Sequence, residues 1–466
     1  MRRAQWERGP RPRQWLMMLA PVLLAPVLLA LVGCQTASIG PDRSVVSSDL
    51  STRVGQTLPR QTTPGEITLP PGASLDDGIT EDEAVSIALW NNAAFQELLV
   101  DLGLARSDLI QAGLLPNPEF VYFIGVSDKP FKYLFDFPIE ALWLRPMRVR
   151  SAENEADRTA ERLAQAGLDL MRDVRQAYSD VLLAKARVGV TVEAVKFRRQ
   201  IAELANNRLT AGDISPQEAA TARIDFLQAE QEATRIGFDV AIFEQRLRNL
   251  LGIGLRHRPL PLDPSPPPAC LTFNADALTQ DAIAGRPDAL AAAEAVAAAE
   301  ERVKFASLSW VRLLGIADAT SGQSGHVFSP AMRFTLPLFN RNEGGIARAE
   351  AELERAVRNR QTIEDQIILD VQRSYLQYRQ TCVELEVLRT KVRPEVDAGI
   401  RRAQAAYHEG NITYVIVLEM TRQLLENHLR EAQLNGDLRR SWAELERSVG
   451  QRLSPQAATA SAARQD

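Results

Sequence analysis

The sequence predicts a mainly α-helical protein with a small β part, in which long coiled-coil helices make up most of the chain. Three observations lead to this fold class: an internal two-fold repeat, apolar seams far longer than a globular helix, and two pairs of strand-like segments. The composition agrees, because aromatic residues form only 6% of the chain, and alanine and leucine, which favour helices, are abundant. The formal net charge of −5 argues against a nucleic-acid-binding protein, which needs a basic face.

Four short segments of the first half return in the second half, in the same order and at an offset of 197 to 199 residues. The matched segments are 135–138 with 334–337, 174–178 with 371–375, 211–214 with 409–412, and 250–252 with 448–450. A period this long indicates a duplicated domain rather than a solenoid. We therefore expect two repeats, 80–254 and 271–452. A proline-rich linker over 255–270 joins them, and a disordered tail over 453–466 follows.

The N-terminus has the features of an export signal in the expected order. Five arginines in residues 1–15 precede an apolar stretch over 16–32, which ends in Leu-Val-Gly-Cys at 31–34. This ending resembles a lipoprotein signal, which implies that residues 1–33 form the signal peptide, that cleavage follows Gly33, and that Cys34 is acylated. An ordinary export signal with a chance cysteine is the alternative.

Acyl chains on Cys34 would hold the protein on a membrane, because two or more lipid anchors bind durably. Gln35 follows the cysteine in place of an aspartate, which favours the outer membrane over the inner membrane. Residues 34–79 are rich in Ser, Thr, Pro and Gly without a period, and we expect them to form an extended tether. Thr80 and Glu83 then make a capping box, which predicts the start of a helix that ends near Leu114.

An apolar seam runs from Val149 to Val188, with apolar or small residues three or four positions apart. This spacing is the heptad pattern of a coiled coil. An equivalent seam begins at Ile346 in the second repeat. Because a globular helix averages about a dozen residues, the seams predict extended helices, which could close into a helical tube.

Each repeat also contains two strand-like segments between its helices. They lie at 119–126 and 131–139 in the first repeat, and at 311–319 and 329–339 in the second, where a Ser/Gly loop covers 320–326. Their lengths are close to those of tilted transmembrane strands. A soluble hairpin in each repeat is the alternative.

Four strands per chain predict an oligomer if these strands cross a membrane. Sheet edges exposed to lipid leave backbone groups without partners, and membrane barrels start at about eight strands. Copies of the chain must then share one barrel, and three copies would supply about 12 strands.

The order of several segments resembles the TolC-like outer-membrane efflux family, in its lipoprotein branch. These segments are Gln-Ala-Gly-Leu-Leu-Pro-Asn-Pro at 111–118, Arg-Leu-Thr-Ala-Gly at 208–212, Ala-Gly-Arg-Pro-Asp at 284–288, Phe-Thr-Leu-Pro-Leu-Phe at 334–339 and Tyr-His-Glu-Gly at 407–410. The resemblance covers residues from about 80 to 452. Residues 304–312 depart from it, because they lack the Leu-Pro that the family often places before its second hairpin.

The resemblance implies a homotrimer with a 12-stranded barrel, a long periplasmic α-barrel, and an equatorial belt at the helix breaks, where Gly212 and Gly410 suit turns. It also implies a passive efflux duct in the outer membrane, which a periplasmic adaptor connects to an inner-membrane transporter. No nucleic acid, metal or cofactor is expected apart from the lipid on Cys34. A structural coiled-coil lipoprotein without a pore is the alternative, and an enzyme is not expected, because no catalytic motif stands out.

We expect the periplasmic tips near 186–190 and 381–386, with Gly189 in a tight interhelical turn. Glu384 and Glu386 could then form carboxylate rings that attract cations. Arg389 and Arg393 could pair with carboxylates and hold the tip shut. A solvated helix face without a gating role is the alternative for these charges.

The oxidising compartment raises the question of a disulfide between Cys270 and Cys382. With Cys382 near a tip and Cys270 in the linker, we expect the two to lie roughly 40 Å apart. A disulfide needs Cα atoms within about 7 Å, so the sequence predicts free thiols.

Overall fold

The computed structural model describes residues 40–60, 63–126, 129–254, 260–322 and 325–453. The helices are α1 (Arg43–Val54), α2 (Glu81–Asn91), α3 (Ala93–Leu98), α4 (Asp101–Gly113), α5 (Ala141–Ala211), α6 (Pro216–Leu251), α7 (Ala275–Gly285), α8 (Pro287–Leu308), α9 (Glu343–Val387), α10 (Arg393–His408) and α11 (Tyr414–Val449). A π-helical turn, Leu388–Val392, joins α9 to α10. The strands are β1 (Glu119–Val126), β2 (Lys129–Pro138), β3 (Leu313–Gly322) and β4 (Gly325–Phe334).

The two repeats follow the same plan: short helices, two strands, one long helix and a returning helix. The longest helix, α5, has 71 residues and spans about 107 Å at 1.5 Å per residue. The predicted fold class, mainly α with a small β part, is confirmed.

The strands form one antiparallel sheet in the order β1-β2-β3-β4. The central pairing of β2 with β3 joins the two repeats, for example at Phe135 opposite Ala317. The predicted hairpins exist, but β4 ends at Phe334 rather than at Phe339, and strand structure covers most of the expected 320–326 loop. Within the described residues, the outer edges of β1 and β4 have no strand beside them.

Each strand leads directly into or out of a helix. The helices next to the sheet therefore follow the same side-by-side order as the strands to which they are joined. The chain passes from α4 to β1, from β2 to α5, from α8 to β3, and from β4 to α9. Below the sheet, α5 packs between α6 and α11, and α11 packs against α9. The helix α6 therefore forms one flank of the protomer, and α9 forms the other.

The capping box at Thr80 and Glu83 is confirmed, because the Thr80 hydroxyl accepts a hydrogen bond from the Glu83 N–H and the Glu83 carboxylate accepts one from the Thr80 N–H. The prediction of a single helix from residue 80 to residue 114 is wrong, however, because three helices cover this range. Asn92 leaves the helical conformation, with ψ at 115°, and its side chain caps α3 by accepting from the N–H of Phe95. Local side-chain capping competes with helix continuation at such residues.

The expectation of an extended tether over 34–79 is also wrong for part of this segment. Residues 43–54 form α1, which the Asp42 side chain caps. Val46, Leu50 and Val54 are buried and belong to the same apolar core as the middle of α5. Their spacing of four residues places them on one helix face, so a short amphipathic helix lies within a segment of loop-like composition.

The expectation of free thiols is wrong, because Cys270 and Cys382 form a disulfide with their Cα atoms 5.8 Å apart. The C-terminal end of the linker lies against α9 instead of away from it. The Tyr378 hydroxyl donates to the carbonyl of Ala269 and accepts from the N–H of Leu271. Cys382 lies beside this path and far from the hairpin turn at Gly410, which removes the separation that the prediction assumed.

Candidate functional site: the faces, flanks and tips of a channel wall

The two faces of the sheet differ in polarity. On one face, Phe120, Tyr122 and Ile124 of β1 share a side with Phe328 and Met332 of β4, since residues paired across antiparallel strands point to the same face. Phe120, Ile124, Phe328 and Met332 are more than 60% exposed. The apolar face is therefore uncovered in the single chain.

The opposite face carries charged side chains that pair across the strands. Lys132 Nζ lies 3.0 Å from the Asp318 carboxylate, and Arg333 lies 3.9 Å from that of Asp136. An apolar face backed by a polar face is the pattern of a strand that separates lipid from an aqueous lumen.

Both helical hairpins turn at left-handed glycines. Gly212 has φ 84° and ends α5, and Gly410 has φ 77° and follows α10. A side chain at such a φ is unfavourable, so glycine suits both turns. The predicted helix-break turns at Gly212 and Gly410 are thus confirmed. They are the distal ends of the hairpins, so the expectation that they mark an equatorial belt is wrong.

The predicted tight turn at Gly189 is wrong as well, because α5 continues through this residue to Ala211. A glycine inside a helix costs only about 1 kcal/mol, and packing along a long helix readily offsets that cost. The predicted tips at 186–190 and 381–386 thus lie within helices, roughly 25 residues before the true turns.

The two distal turns pack against each other through a small apolar cluster. Its buried members are Ala205, Ala222, Tyr407 and Val417. The guanidinium of Arg208 lies 5.1 Å from the centre of the Tyr407 ring, a cation–π distance. The tip of each protomer is therefore one unit made from both repeats.

The charges predicted to act at the tip lie along α9, the π-helical turn and α10, well before the turn at Gly410. Arg389 and Arg393 both pair with Glu431 of α11, at 2.9 and 3.0 Å, and Glu384 pairs with Arg430 at 2.5 Å. The Glu384 pKa is lowered, chiefly by a hydrogen bond from Gln380 and also by Arg430. Arg389 lies within the π-helical turn, Glu384 before it and Arg393 after it, so these pairs tie the turn, α9 and α10 to α11.

Glu386 has a different environment from Glu384, although it is only two residues away. Its backbone carbonyl accepts from the Thr390 hydroxyl, and its side chain is exposed. The structure thus joins Glu384, Arg389 and Arg393 in inter-helix ion pairs, whereas Glu386 lies on the solvent side of α9.

A buried ionic network, which the sequence analysis did not identify, connects the repeats above the hairpins. Arg175 is 7% exposed and pairs with Glu446 of α11 and with Glu81 and Asp82 of α2. Burial lowers the Arg175 pKa, but these carboxylates outweigh that effect, so its pKa is raised. The sequence did contain one sign of this network, because Arg175 lies between Val174 and Ala177, two positions of the predicted apolar seam.

A second buried arginine, Arg286, lies between α7 and α8 in the second repeat. It is 2% exposed and donates to Asp288 at 2.6 Å, to Asp370 at 3.4 Å, and to the carbonyl of Ser448. Asp370 also accepts from Arg447 at 3.1 Å. Burial raises the Asp370 pKa. The hydrogen bond from Gln366 and the charges of Arg286 and Arg447 together outweigh burial, so the pKa of Asp370 is lowered.

An acidic cluster lies where α1 meets α5 and α8. Burial raises the pKa of Glu161 to about 7, and the carboxylates of Asp49, Glu294 and Asp157 add to this shift, while Arg53 opposes it. Arg53 itself pairs with Asp49 at 2.7 Å and donates to the carbonyl of Gly285. Where α1 docks, Arg53 therefore pairs with Asp49 and partly offsets the effect of the neighbouring carboxylates on Glu161.

Gly33 and Cys34, predicted as the cleavage and lipid-attachment residues, lie outside the described residues. Within the described ranges, no group of three or more His, Cys, Asp or Glu residues could hold a metal ion. None of the helices in the described part of the chain has the length and apolarity needed to cross a bilayer.

Comparison with known proteins gives consistent matches. The family model described as "Outer membrane efflux protein" matches residues 138–253 and 278–451. The cobalt-zinc-cadmium resistance protein CzcC of Cupriavidus metallidurans is 22% identical over 440 residues, which cover 90% of this chain and 98% of the relative.

Solved structures share the fold at low sequence identity. A membrane protein from Pseudomonas aeruginosa superposes with a TM-score of 0.69 at 18% identity, covering 85% of this chain and all of that one. The channel CusC gives 0.68 at 16% identity, with 84% and 98% covered. The outer membrane protein VceC of Vibrio cholerae gives 0.66 at 18% identity, with 80% and 96% covered.

Proposed function

Because the chain belongs to the outer membrane efflux protein family, we propose that it is the outer-membrane channel of a tripartite efflux system, a passive duct built from three copies. The observation that carries this function is the four-stranded sheet, which has one apolar face, one polar face and two edges that no other strand in the described part of the chain pairs with. A transport duct needs no catalytic residue, and we propose no enzymatic activity.

The sheet supports the trimer, because unpaired backbone groups in lipid each cost several kcal/mol. Pairing β4 of one copy with β1 of the next removes both edges, and three copies then form a closed barrel of about 12 strands. The apolar face, with Phe120 and Met332, would face lipid. The charged face, with Lys132 and Asp318, would face the lumen.

The helices support a duct that extends into the periplasm. The 71 residues of α5 reach about 107 Å, far more than the thickness of a bilayer. The distal tips, where Gly212 and Gly410 turn, would meet the periplasmic adaptor, and an inner-membrane transporter would supply the energy.

Covalent lipid on Cys34 would anchor the chain, and α1 supports this arrangement. Residue 43, where α1 starts, lies only nine residues after Cys34, so the helix would hold the anchor close to the outside of the wall. Replacing Cys34 with Ala is expected to abolish acylation, as measured by mass spectrometry of the purified protein, while the trimer persists if another signal exports the chain.

Divalent metal cations are the cargo that we favour. The relative that matches over nearly its whole length is named for cobalt, zinc and cadmium resistance. A deletion strain is expected to become sensitive to these ions and to recover with the intact gene. Sensitivity to organic drugs alone would contradict this cargo and leave the duct itself standing.

Conductance in planar bilayers tests the duct directly. Purified protein is expected to run as a trimer in mild detergent and to produce discrete conductance steps. A structural lipoprotein without a pore, the competing function, would give no conductance even as a stable oligomer. A monomer that does not conduct would refute the proposed function.

A further inference from the structure

A recess of about 780 Å³ lies between α4, α5 and α8, below the sheet. Its apolar lining comes from all three helices and includes Leu104 of α4, Met147 of α5 and Phe305 of α8. Leu104 is 61% exposed, so the single chain leaves this side chain uncovered. Small-molecule sites typically have volumes of about 300–1,000 Å³. The recess is therefore large enough for an organic ligand, and it offers an apolar surface that such a ligand would cover.

Two carboxylates without partners lie on the α4 side of the recess. Asp101 and Asp108 are seven residues apart, which places them on one face of the helix, with Leu104 between them on the same face. Both side chains are exposed, and neither makes an ion pair or a side-chain hydrogen bond with another described residue. The α4 wall of the recess therefore carries negative charge on both sides of an apolar centre.

Two of the three arginines that line the recess interact with other groups. Arg302 lies 3.0 Å from Glu155, whose charge it balances. Arg148 donates to the carbonyl of Leu114 at the end of α4, roughly 9 Å beyond Asp108 along that helix. Neither arginine therefore pairs with an aspartate of α4.

The third arginine, Arg162, is exposed and lies at the lower end of the recess. Arg145 donates to the carbonyl of Gly113, and α4 and α5 are antiparallel because the first hairpin joins them. Asp101, twelve residues before Gly113, is therefore level with about residue 157 of α5, twelve residues after Arg145. Arg162 is five residues further from the sheet, roughly 7 Å, so the two aspartates determine the charge at the middle of the recess.

The recess lies on the opposite face of α5 from the docked helix α1. The helix α1 meets α5 at Glu161 and Gly167. The recess is lined instead by Thr159, Arg162 and Ala166, which lie on the other side of a helix that turns by about 100° per residue. With α1 on the outer surface, near the lipid anchor, the recess opens into the lumen of the proposed duct.

We propose that this recess binds amphiphilic organic cations, and that a bound cation narrows the lumen. The apolar part of the ligand covers Leu104, Met147 and Phe305, and its positive charge lies beside Asp101 and Asp108. The inference rests on the proposed duct, because only the duct places the recess in a conducting lumen. It adds an obstructing ligand to the metal cargo proposed above, which the apolar lining does not suit.

Single-channel conductance of the purified full-length trimer in planar bilayers tests the site. The probe is tetraphenylphosphonium, an apolar cation, and the matched probe is tetraphenylborate, which has nearly the same shape and the opposite charge. The test variant is Asp101→Asn/Asp108→Asn, and Asp101→Glu/Asp108→Glu keeps both charges. Asp77→Asn, which removes an exposed carboxylate outside the recess, is the matched control. All variants are compared in the same lipid, so probe that dissolves in the bilayer affects them equally.

Tetraphenylphosphonium is expected to interrupt the current through the wild type, the glutamate variant and the control. The asparagine variant should need about ten times more probe for half-maximal block, because two exposed ion pairs with the ligand are lost. Tetraphenylborate should block the wild type far less.

Three results would overturn the site and leave the duct intact: equal block of the asparagine variant and the wild type, no block of a conducting wild type, or equal block by tetraphenylborate. A glutamate variant as insensitive as the asparagine variant would also overturn it, because charge would then not be the cause. A trimer that never conducts would refute the duct, and the lumenal site with it.

Discussion

Replacing Glu161 with Gln is expected to stabilise the protein at alkaline pH and to leave it nearly unchanged at acidic pH. The Glu161 pKa of about 7 lies above the ordinary value of 4.5, because burial and the carboxylates of Asp49, Glu294 and Asp157 oppose ionisation. The folded state therefore holds this proton more tightly than the unfolded state does. The contribution of Glu161 to the free energy of unfolding is therefore most favourable below pH 4.5. It falls as the pH rises towards 7, and above 7 it carries the full cost of the buried charge.

The size of the effect follows from the shift. A difference of about 2.5 pKa units corresponds to about 3.4 kcal/mol. Because Glu161 is partly exposed, solvent screening reduces this to about 1–2 kcal/mol. Glutamine keeps the shape and cannot ionise, so it removes this cost at pH 8, where the wild-type side chain is charged.

Thermal unfolding at pH 5 and pH 8 measures the effect, together with hydrogen exchange of the α1 amides, since α1 carries Asp49 and docks at the cluster. Glu203→Gln, on the exposed side of the same long helix, is the matched control and should change neither measurement. If Glu161→Gln and the wild type lose stability equally between pH 5 and pH 8, the electrostatic reasoning is wrong.

Three further perturbations test the wall. Cys382→Ser should destabilise the protein by up to about 4.7 kcal/mol, the loop-entropy value for a closed loop of about 100 residues, and a reductant should lower the melting temperature of the wild type to that of the variant. Arg286→Ala should cost about 3–5 kcal/mol, because it leaves Asp370 buried beside fewer positive charges, and denaturant unfolding should show a smaller loss for Arg286→Lys. Removing Arg389 or Arg393 should raise single-channel conductance by weakening the attachment of α9 and α10 to α11; an unchanged conductance would count against a gating role.

Local patterns in the sequence were sufficient to predict the parts of the fold that short-range interactions determine. The capping box at Thr80 and the heptad spacing that begins at Val149 each predict a real helix. The repeat and the strand-like segments likewise predict the two hairpins, because each strand pairs with a neighbour close in sequence.

Features that depend on the path of distant segments were not predictable in this way. The disulfide requires the C-terminal end of the linker to lie against α9, which no spacing around Cys270 indicates. The turn at Gly212 was predictable, because Ser215 caps the next helix and Pro216 begins it, whereas Gly189, also predicted to turn, remains inside α5 through packing. Arg175 meets Glu446, and Asp370 meets Arg286, only because helices distant in sequence pack together, and neither Arg175 nor Asp370 has a local motif.

The two ends of the described chain meet. The N–H of Arg452 donates to the carbonyl of Arg53 at 2.9 Å, and its guanidinium pairs with Asp82 at 2.8 Å. Export delivers the N-terminal end first, so α1 emerges long before the residues that complete its surroundings. The docking of α1 is therefore completed only when the C-terminal residues arrive, and a chain truncated before Arg452 would leave α1 only partly docked.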